Sequence, residues 1–347
     1  MAAVIIDYED VADIESNLND QILKAFGPDG LGLICIKGVP GFLQAKLGLL
    51  EKGHQLSHSD KQVLDSLEDE KSLYNAGWSF GKEKLGDGVD TSKGSFYFNP
   101  VTDVPGTEED RERFPCSYPC NIWPKQIDAF ENNAKRLGLL LRDICGKVGG
   151  HIDKYAQAQN GCSLELGTNM SNTEKVKGRL LYYYPRASTN SWIGWHNDSG
   201  YLTGLAGDIY VDDATGERVE CPDPQGAGLY VVGRKGEEIR VEIPFDCMAV
   251  QLGECVQILT GGALQATPHC VRGGKCFDKN VARVSCACFV DMPPTQKLLM
   301  PKSCTREQVL GRQLGGDALV PPLGERWTED GMEFGAFLEK TFAKYYS

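Results

Sequence analysis

GRLLYYYPRASTNSWIGWHNDSGYLTGL, residues 178–205, opens the part of the chain whose pattern decides the fold. Before about residue 174 helical and short apolar runs alternate. After it, short β-type runs recur between turn signals, predicting strands over Arg179–Tyr184, Ile193–Thr203, Gly228–Val232, Ile239–Ile243, Cys247–Leu252, Val256–Thr260, Thr267–Arg272 and Val281–Val290. Many short strands at this spacing predict a sandwich or barrel, and an eight-strand double sheet is a jelly roll. The expected fold is mainly β with flanking α. A jelly-roll (double-stranded β-helix) core over 174–295 is wrapped by an N-terminal helix and strand region, 1–173, and a C-terminal helical region, 296–347, in one catalytic domain.

Working outward, Val11, Ile14, Leu18, Ile22 and Leu23 form a helical stripe over Asp10–Ala25, and the glycine- and proline-bearing turn 27–30 ends it. Leu31–Lys37 reads as a buried strand. Helical patterns follow over Phe42–His54 and Lys61–Leu67, where Ser59 and Gln62 have capping-box spacing. Ser95–Phe98 reads as a strand and Pro124–Lys147 as a long amphipathic helix. The chain is helical again from Thr328.

Composition excludes some functions. With 41% apolar and 24% charged residues, the 347-residue chain is ordinary for a soluble protein. Its formal charge of −12 argues against nucleic acid as a partner. No stretch reaches the ~18 apolar residues of a membrane span, and residues 1–15 lack the pattern of a secretory or transit signal. Thirteen cysteines, none in a C-x-x-C pair, read as reduced thiols of a cytoplasmic protein; Cys286 and Cys288 read as small buried hydrophobes. The expected partner is a small organic molecule. Oligomeric state is left open.

Three pairs of polar residues two apart carry the chemistry, because alternate residues of a strand share a face. They are Tyr182 with Tyr184, His196 with Asp198, and Arg283 with Ser285. Both faces of the Arg283 run look buried, and no acid alternates with the arginine before Asp291, so an anionic ligand is expected beside it. His196, Asp198 and, from QATPHCVR, His269 supply two imidazoles and a carboxylate, the facial set of non-haem iron(II) oxygenases. Three coordination positions remain, two for a chelating 2-oxo acid and one for dioxygen. Arg283 and Ser285 would hold the acid's far carboxylate.

Taken in order, Tyr183-Tyr184-Pro185, His196-x-Asp198 with Gly200-Tyr201-Leu202-Thr203, Thr267-Pro268-His269 and Arg283-x-Ser285 resemble the isopenicillin N synthase-like branch of the iron(II)- and 2-oxoglutarate-dependent dioxygenases. LGLICIKGVP and GSFYFNP extend the similarity over roughly residues 5 to 295. The resemblance implies iron(II) on His196, Asp198 and His269, and 2-oxoglutarate on Arg283 and Ser285 with Tyr184, and Tyr182 beside it, assisting. It implies a substrate near Phe289 and Asp291, and near Phe96 and Phe98 of the GSFYFNP segment. The implied reaction consumes dioxygen, hydroxylates or desaturates a small molecule, and releases succinate and carbon dioxide.

The chain departs from the pattern at Asn197, where the family usually has threonine, at Cys270, where an arginine commonly follows the histidine, and in a longer acidic segment around 207–225, expected to be a hairpin near the active-site mouth. Plainer readings stand beside these. Phe289 could be core and Asp291 a strand terminator, and Trp78, Phe96, Phe98, Trp192 and Trp195 could be core rather than a pocket. His54 and His58 lie near a helix start, and His151 is an ordinary histidine. Zinc could take the same three ligands, but nothing nominates the general base it would need. Two other functions stay open: an oxidase drawing all its electrons from the substrate, and a non-catalytic binding module.

Overall fold

The computed structural model describes residues 3–345 except 83, 86–87, 186–190, 234, 277–278 and 312–318. Two sheets form the centre. The larger has nine strands, ordered Val4–Asp7, Leu33–Lys37, Cys247–Leu252, Leu202–Asp212, Val281–Val290, Val176–Tyr183, Lys93–Phe98 and Gly77–Phe80, with Arg218–Val219 pairing onto Leu202–Asp212. The smaller has four, ordered Glu238–Val241, Ala227–Val232, His269–Gly273 and Ser191–His196. Their pairings are antiparallel apart from Val4–Asp7 on Leu33–Lys37. This is a jelly-roll core with flanking helices, as the strand spacing predicts.

The large sheet is buried on both faces, each against a different partner. One face packs on the helix Phe130–Asn160, whose Phe130, Leu137, Leu141 and Ile144 meet Phe96, Phe98, Leu180 and Val284. The other faces the small sheet, where Leu33, Cys35, Leu181 and Tyr183 meet Trp192, Val231 and Val271. Two-sided burial explains why Cys247–Leu252 and Val281–Val290 carry apolar residues on both faces rather than on alternate positions only.

Some expected elements differ. Val256–Thr260 lies in a helix, Glu254–Leu259; a short apolar run has no period that separates strand from buried helix. The expected strand Ile193–Thr203 is two strands, Ser191–His196 in the small sheet and Leu202–Asp212 in the large one, with residues 197–201 crossing between them. Asp10–Ala25 is broken into Tyr8–Ala12 and Asn19–Phe26. Phe42–His54 is likewise two helices, Phe42–Leu50 and Gly53–Ser57. The Ser59–Gln62 capping box does not form, since Asp60 precedes the helix and the Ser59 hydroxyl donates to Gln55 O. The long helix starts at Phe130, not Pro124, and runs on to Asn160. Among the described residues no helix is long and apolar enough to cross a membrane.

Candidate metal centre and adjoining cavities

The polar residues singled out by the motifs meet where the two sheets open. His196 ends its strand and His269 begins the neighbouring one, directly opposite it in the antiparallel register. Asp198 follows two residues later in the crossing segment rather than on the strand, so the turn of the chain, not strand alternation, brings it back toward the imidazoles. His196 Nε2 lies 4.0 Å and His269 Nε2 3.8 Å from Asp198 Oδ1. One donor atom from each of the three residues falls within 4.8 Å of the others.

Neighbouring groups orient the rings. His196 Nδ1 lies 2.9 Å from Gly194 O and His269 Nδ1 3.2 Å from Thr267 O, which suits N–H at Nδ1 and a lone pair at Nε2 on both. The Gln251 amide lies 2.6 Å from His269 Nδ1 through its nitrogen, and its buried Oε1 has no partner among the described residues. Turning the amide over lets Oε1 accept from Nδ1–H, which removes both faults at once. Burial, with His269 adding to it, pushes the His196 imidazole well below its ordinary pKa, so neutral, ligating imidazole is the favoured form.

Asn197 points away from the triad and has a structural task there. Its side-chain amide donates to Glu254 Oε1 at 3.0 Å, and the Glu254 backbone N–H donates to Asp198 O at 2.8 Å. Glu254 is held by both Nη atoms of Arg326 at 2.6 and 2.5 Å, with both side chains sealed from solvent. A charge pair this dry is stable only when fully hydrogen-bonded, and this one clamps the segment carrying Asp198 to the C-terminal region. No local pattern links positions 254 and 326, so neither residue stands out in the sequence.

A cavity of about 80 Å³ adjoins the triad, and Thr203, Gln251, Arg283, Ser285 and Phe289 help line it. Arg283 and Ser285 therefore share a space with His196, Asp198 and His269. The expectation that Arg283 lacks a protein acid is corrected, because its Nε donates to Asp208 Oδ2 at 2.7 Å. Asp208 sits on the neighbouring strand opposite Ser285, a pairing that only sheet register reveals. Among the described residues neither Nη atom of Arg283 makes a hydrogen bond, so part of the guanidinium remains for a ligand. Lys46 is buried as well and adds a second positive charge to this end. Burial lowers its pKa to about 8, against the opposing pull of the Asp208 carboxylate.

The tyrosines need correction too. Register sets Tyr183 opposite Arg283, and Tyr183 lines the cavity. Tyr182 and Tyr184 point to the other face, where their hydroxyls donate to Asp213 Oδ1 at 2.6 Å and Ser57 O at 3.3 Å. The same parity turns Phe96 and Phe98 into the helix-facing core against Trp123 and Phe130, while Ser95 and Tyr97 face the cavities. A shift of one residue exchanges the two faces of a strand. Trp78 and Trp192 are core as well.

A second chamber, about 520 Å³, shares Arg179, Asp198 and Phe289 with the first and is lined further by Tyr97, Lys177 and Asp291. Phe289 and Asp291 therefore both line this chamber. The acidic segment does form a hairpin, but its tip lies against the helix Gly53–Ser57 rather than at the chamber. There Asp213 O is 3.0 Å from His54 Nε2 and Asp213 Oδ1 3.5 Å from His58 Nε2, and the two imidazoles stack at 4.1 Å. His151 is core, bonded to Val11 O. The Cys270 and Cys286 thiols are buried and pushed up to about 11 and about 12, which keeps both protonated and unreactive.

No protein-family model matches the chain, and no curated relative does. Solved structures are similar. A protein from Caulobacter crescentus, described as of the 2OG-Fe(II) oxygenase family, superposes with a TM-score of 0.70 at 17% identity, covering 99% of this chain and 100% of that one. A full-length Neurospora crassa protein, solved in complex with alpha-KG and thymine, gives 0.64 at 16% identity, with 99% and 97% covered. The rice dioxygenase for auxin oxidation gives 0.57 at 18%, with 88% of each chain covered. The chain has the fold of the 2OG-Fe(II) oxygenases.

Proposed function

We propose that this protein is an iron(II)- and 2-oxoglutarate-dependent oxygenase of a small organic molecule. The observation that carries the reading is the convergence of His196, Asp198 and His269 beside a cavity that also holds Arg283 and Ser285. Two imidazoles presenting Nε2 and one carboxylate fit an iron(II) site with open positions. When bound, iron and 2-oxoglutarate supply the activation of dioxygen, with succinate and carbon dioxide as by-products and hydroxylation or desaturation of the substrate as the result. The chain's own residues bind and orient. Gln251 and the carbonyls of Gly194 and Thr267 hold the imidazoles in the ligating tautomer. Arg283 and Ser285 receive the distal carboxylate of the co-substrate. Tyr183 and Phe289 wall the cavity, which limits the water around that carboxylate.

Anaerobic titration of 2-oxoglutarate into iron(II)-loaded protein tests this. A visible charge-transfer band that saturates in the wild type and vanishes in His269→Ala is the expected outcome. Iron binding with no such band would reject the co-substrate, and absence of iron binding would reject the enzyme. A second reading, an oxidase drawing all its electrons from the organic substrate, is favoured by the Asp208–Arg283 pair, which already neutralises part of the charge that 2-oxoglutarate would use. Oxygen consumption without succinate release would establish it.

A further inference from the structure

Behind the metal centre, two free thiols from distant parts of the chain share one small apolar cluster. Cys221 follows the strand Arg218–Val219, and Cys276 lies in the turn after His269–Gly273. Sheet register brings the two segments together, because Ala227 pairs with Gly273. The Asp223 carboxylate stitches the turns to each other, accepting from Lys275 N at 3.1 Å and from Gly226 N at 3.0 Å. Gly274 lies against this stitch at φ +56°, and a Cβ there would come within 2.7 Å of Ala227 N and 2.8 Å of Asp223 Oδ2. Cys276 is sealed from solvent among Tyr183 and Val281, while Cys221 packs on the same cluster and is only half-buried. The Cys221 sulfur accepts from the Cys276 thiol, the Asp223 backbone N–H and the Tyr210 hydroxyl. Tyr210 stands opposite Arg283 in the sheet, so the thiols adjoin the Arg283 end of the metal-centre cavity without lining it.

We propose that Cys221 and Cys276 are a redox-active thiol pair, which hydrogen peroxide converts into a reversible disulfide. The two thiols are prepared for different steps. Hydrogen bonding from Cys276, opposed by burial and helped by Asp223 N–H and the Tyr210 hydroxyl, pulls the Cys221 thiol well below its ordinary value. The same bond, with burial, pushes the Cys276 thiol up. Elsewhere burial raises thiols, as at Cys35 and Cys247, pushed up to about 12 and about 11. The Cys221 thiolate attacks one peroxide oxygen, the O–O bond breaks and hydroxide leaves, so the sulfur becomes a sulfenic acid. That removes the Cys221 charge, which is the main cause holding the proton on Cys276. The Cys276 sulfur then attacks the sulfenic sulfur, the S–O bond breaks, and the oxygen leaves as water with the Cys276 proton. The hydroxide takes up the proton that Cys221 had released, so two thiols and one peroxide give one disulfide and two waters. A thiol reductant restores both cysteines by exchange. The bond ties the segment after Arg218–Val219 to the turn that ends the His269 strand. Neither iron nor 2-oxoglutarate is needed, so the assignment stands apart from the oxygenase reading.

The test is thiol mapping of the full-length, metal-free protein, reduced and then treated with hydrogen peroxide near neutral pH. The remaining thiols are blocked and the protein is digested with trypsin. The peptide that starts at Val219 should then be joined to the one that starts at Cys276, and dithiothreitol should separate them. Cys276→Ser should stop at the sulfenic acid, read as a dimedone adduct on Cys221, and Cys221→Ser should leave Cys276 unmodified. In the reduced wild type, iodoacetamide labelling of Cys221 should rise less than about threefold from pH ~7 to ~9, where an ordinary thiol rises more than about tenfold. The proposal is overturned if excess peroxide yields no joined peptide, or if Cys221 joins another cysteine as readily. It is also overturned if Cys221 labelling climbs with pH like an ordinary thiol, or if folded Cys221→Ser still forms the adduct at Cys276.

Discussion

Two arginines from adjacent strands enter the same connected space, and their surroundings differ. Arg283 has a carboxylate, Asp208, on its Nε. Arg179 is oriented by a serine hydroxyl, with Lys177 beside it on a neutral amide. An acid locks a cation in place and takes up part of its charge, whereas the neutral amide of Asn75 orients Lys177 without doing so. The first end suits a co-substrate anchored at a second point by a metal.

The largest effect expected in breaking this comparison lies outside both ends. Arg326→Met leaves Glu254 charged and buried beside the Asp198 segment, and should lower unfolding free energy in urea by about 3–5 kcal/mol. Iron affinity should fall with it, because the carboxylate ligand loses its clamp. Next, Arg283→Ala removes charge-assisted bonds of roughly 1.5–3 kcal/mol each, weakening 2-oxoglutarate by about ten- to a hundredfold in the band titration.

Asp208→Asn sharpens the contrast from the other side. Freed of its competitor, Arg283 should bind 2-oxoglutarate several-fold more tightly, on the order of 1 kcal/mol, while the apo-protein becomes less stable because a buried guanidinium loses its acid. Weaker co-substrate binding would instead mean that Asp208 acts by positioning the arginine.

The last effect is the pH dependence of Lys177. Its pKa is about 7 in the fold against ~10.4 for an unfolded lysine, so the unfolded chain holds more protons between those values. Stability due to this group therefore rises with pH across that window, and its burial penalty is complete below pH ~7. Lys177→Met should be more stable than wild type near neutrality, and the gap in urea midpoint should close as pH approaches 10. A constant gap would place the ammonium in water.

Much of the site is legible in the residues themselves. Spacing and order single out His196, Asp198, His269, Arg283 and Ser285, and these converge. Where expectation and structure part, the usual difference is the face of a strand. The motifs assign Tyr182, Tyr184, Phe96 and Phe98 to the ligand side, and each strand presents the alternate residues instead. With both faces of the large sheet buried, hydropathy cannot say which one meets the cavity. Arg179 carries a usable signal, since a charge inside the apolar run GRLLYYYP asks the same question as Arg283 in VARVSCACFV.

The strand-rich core, the three donors and the arginine that shares their cavity can be read from the residues, because each is a matter of local periodicity or of residue types in order. Folding sets Asp208 against Arg283, Arg326 behind the Asp198 segment through Glu254, and Lys177 and Arg179 at the larger chamber. Those facts depend on sheet register and on contacts across 72 to 102 residues, where nothing local constrains which groups meet.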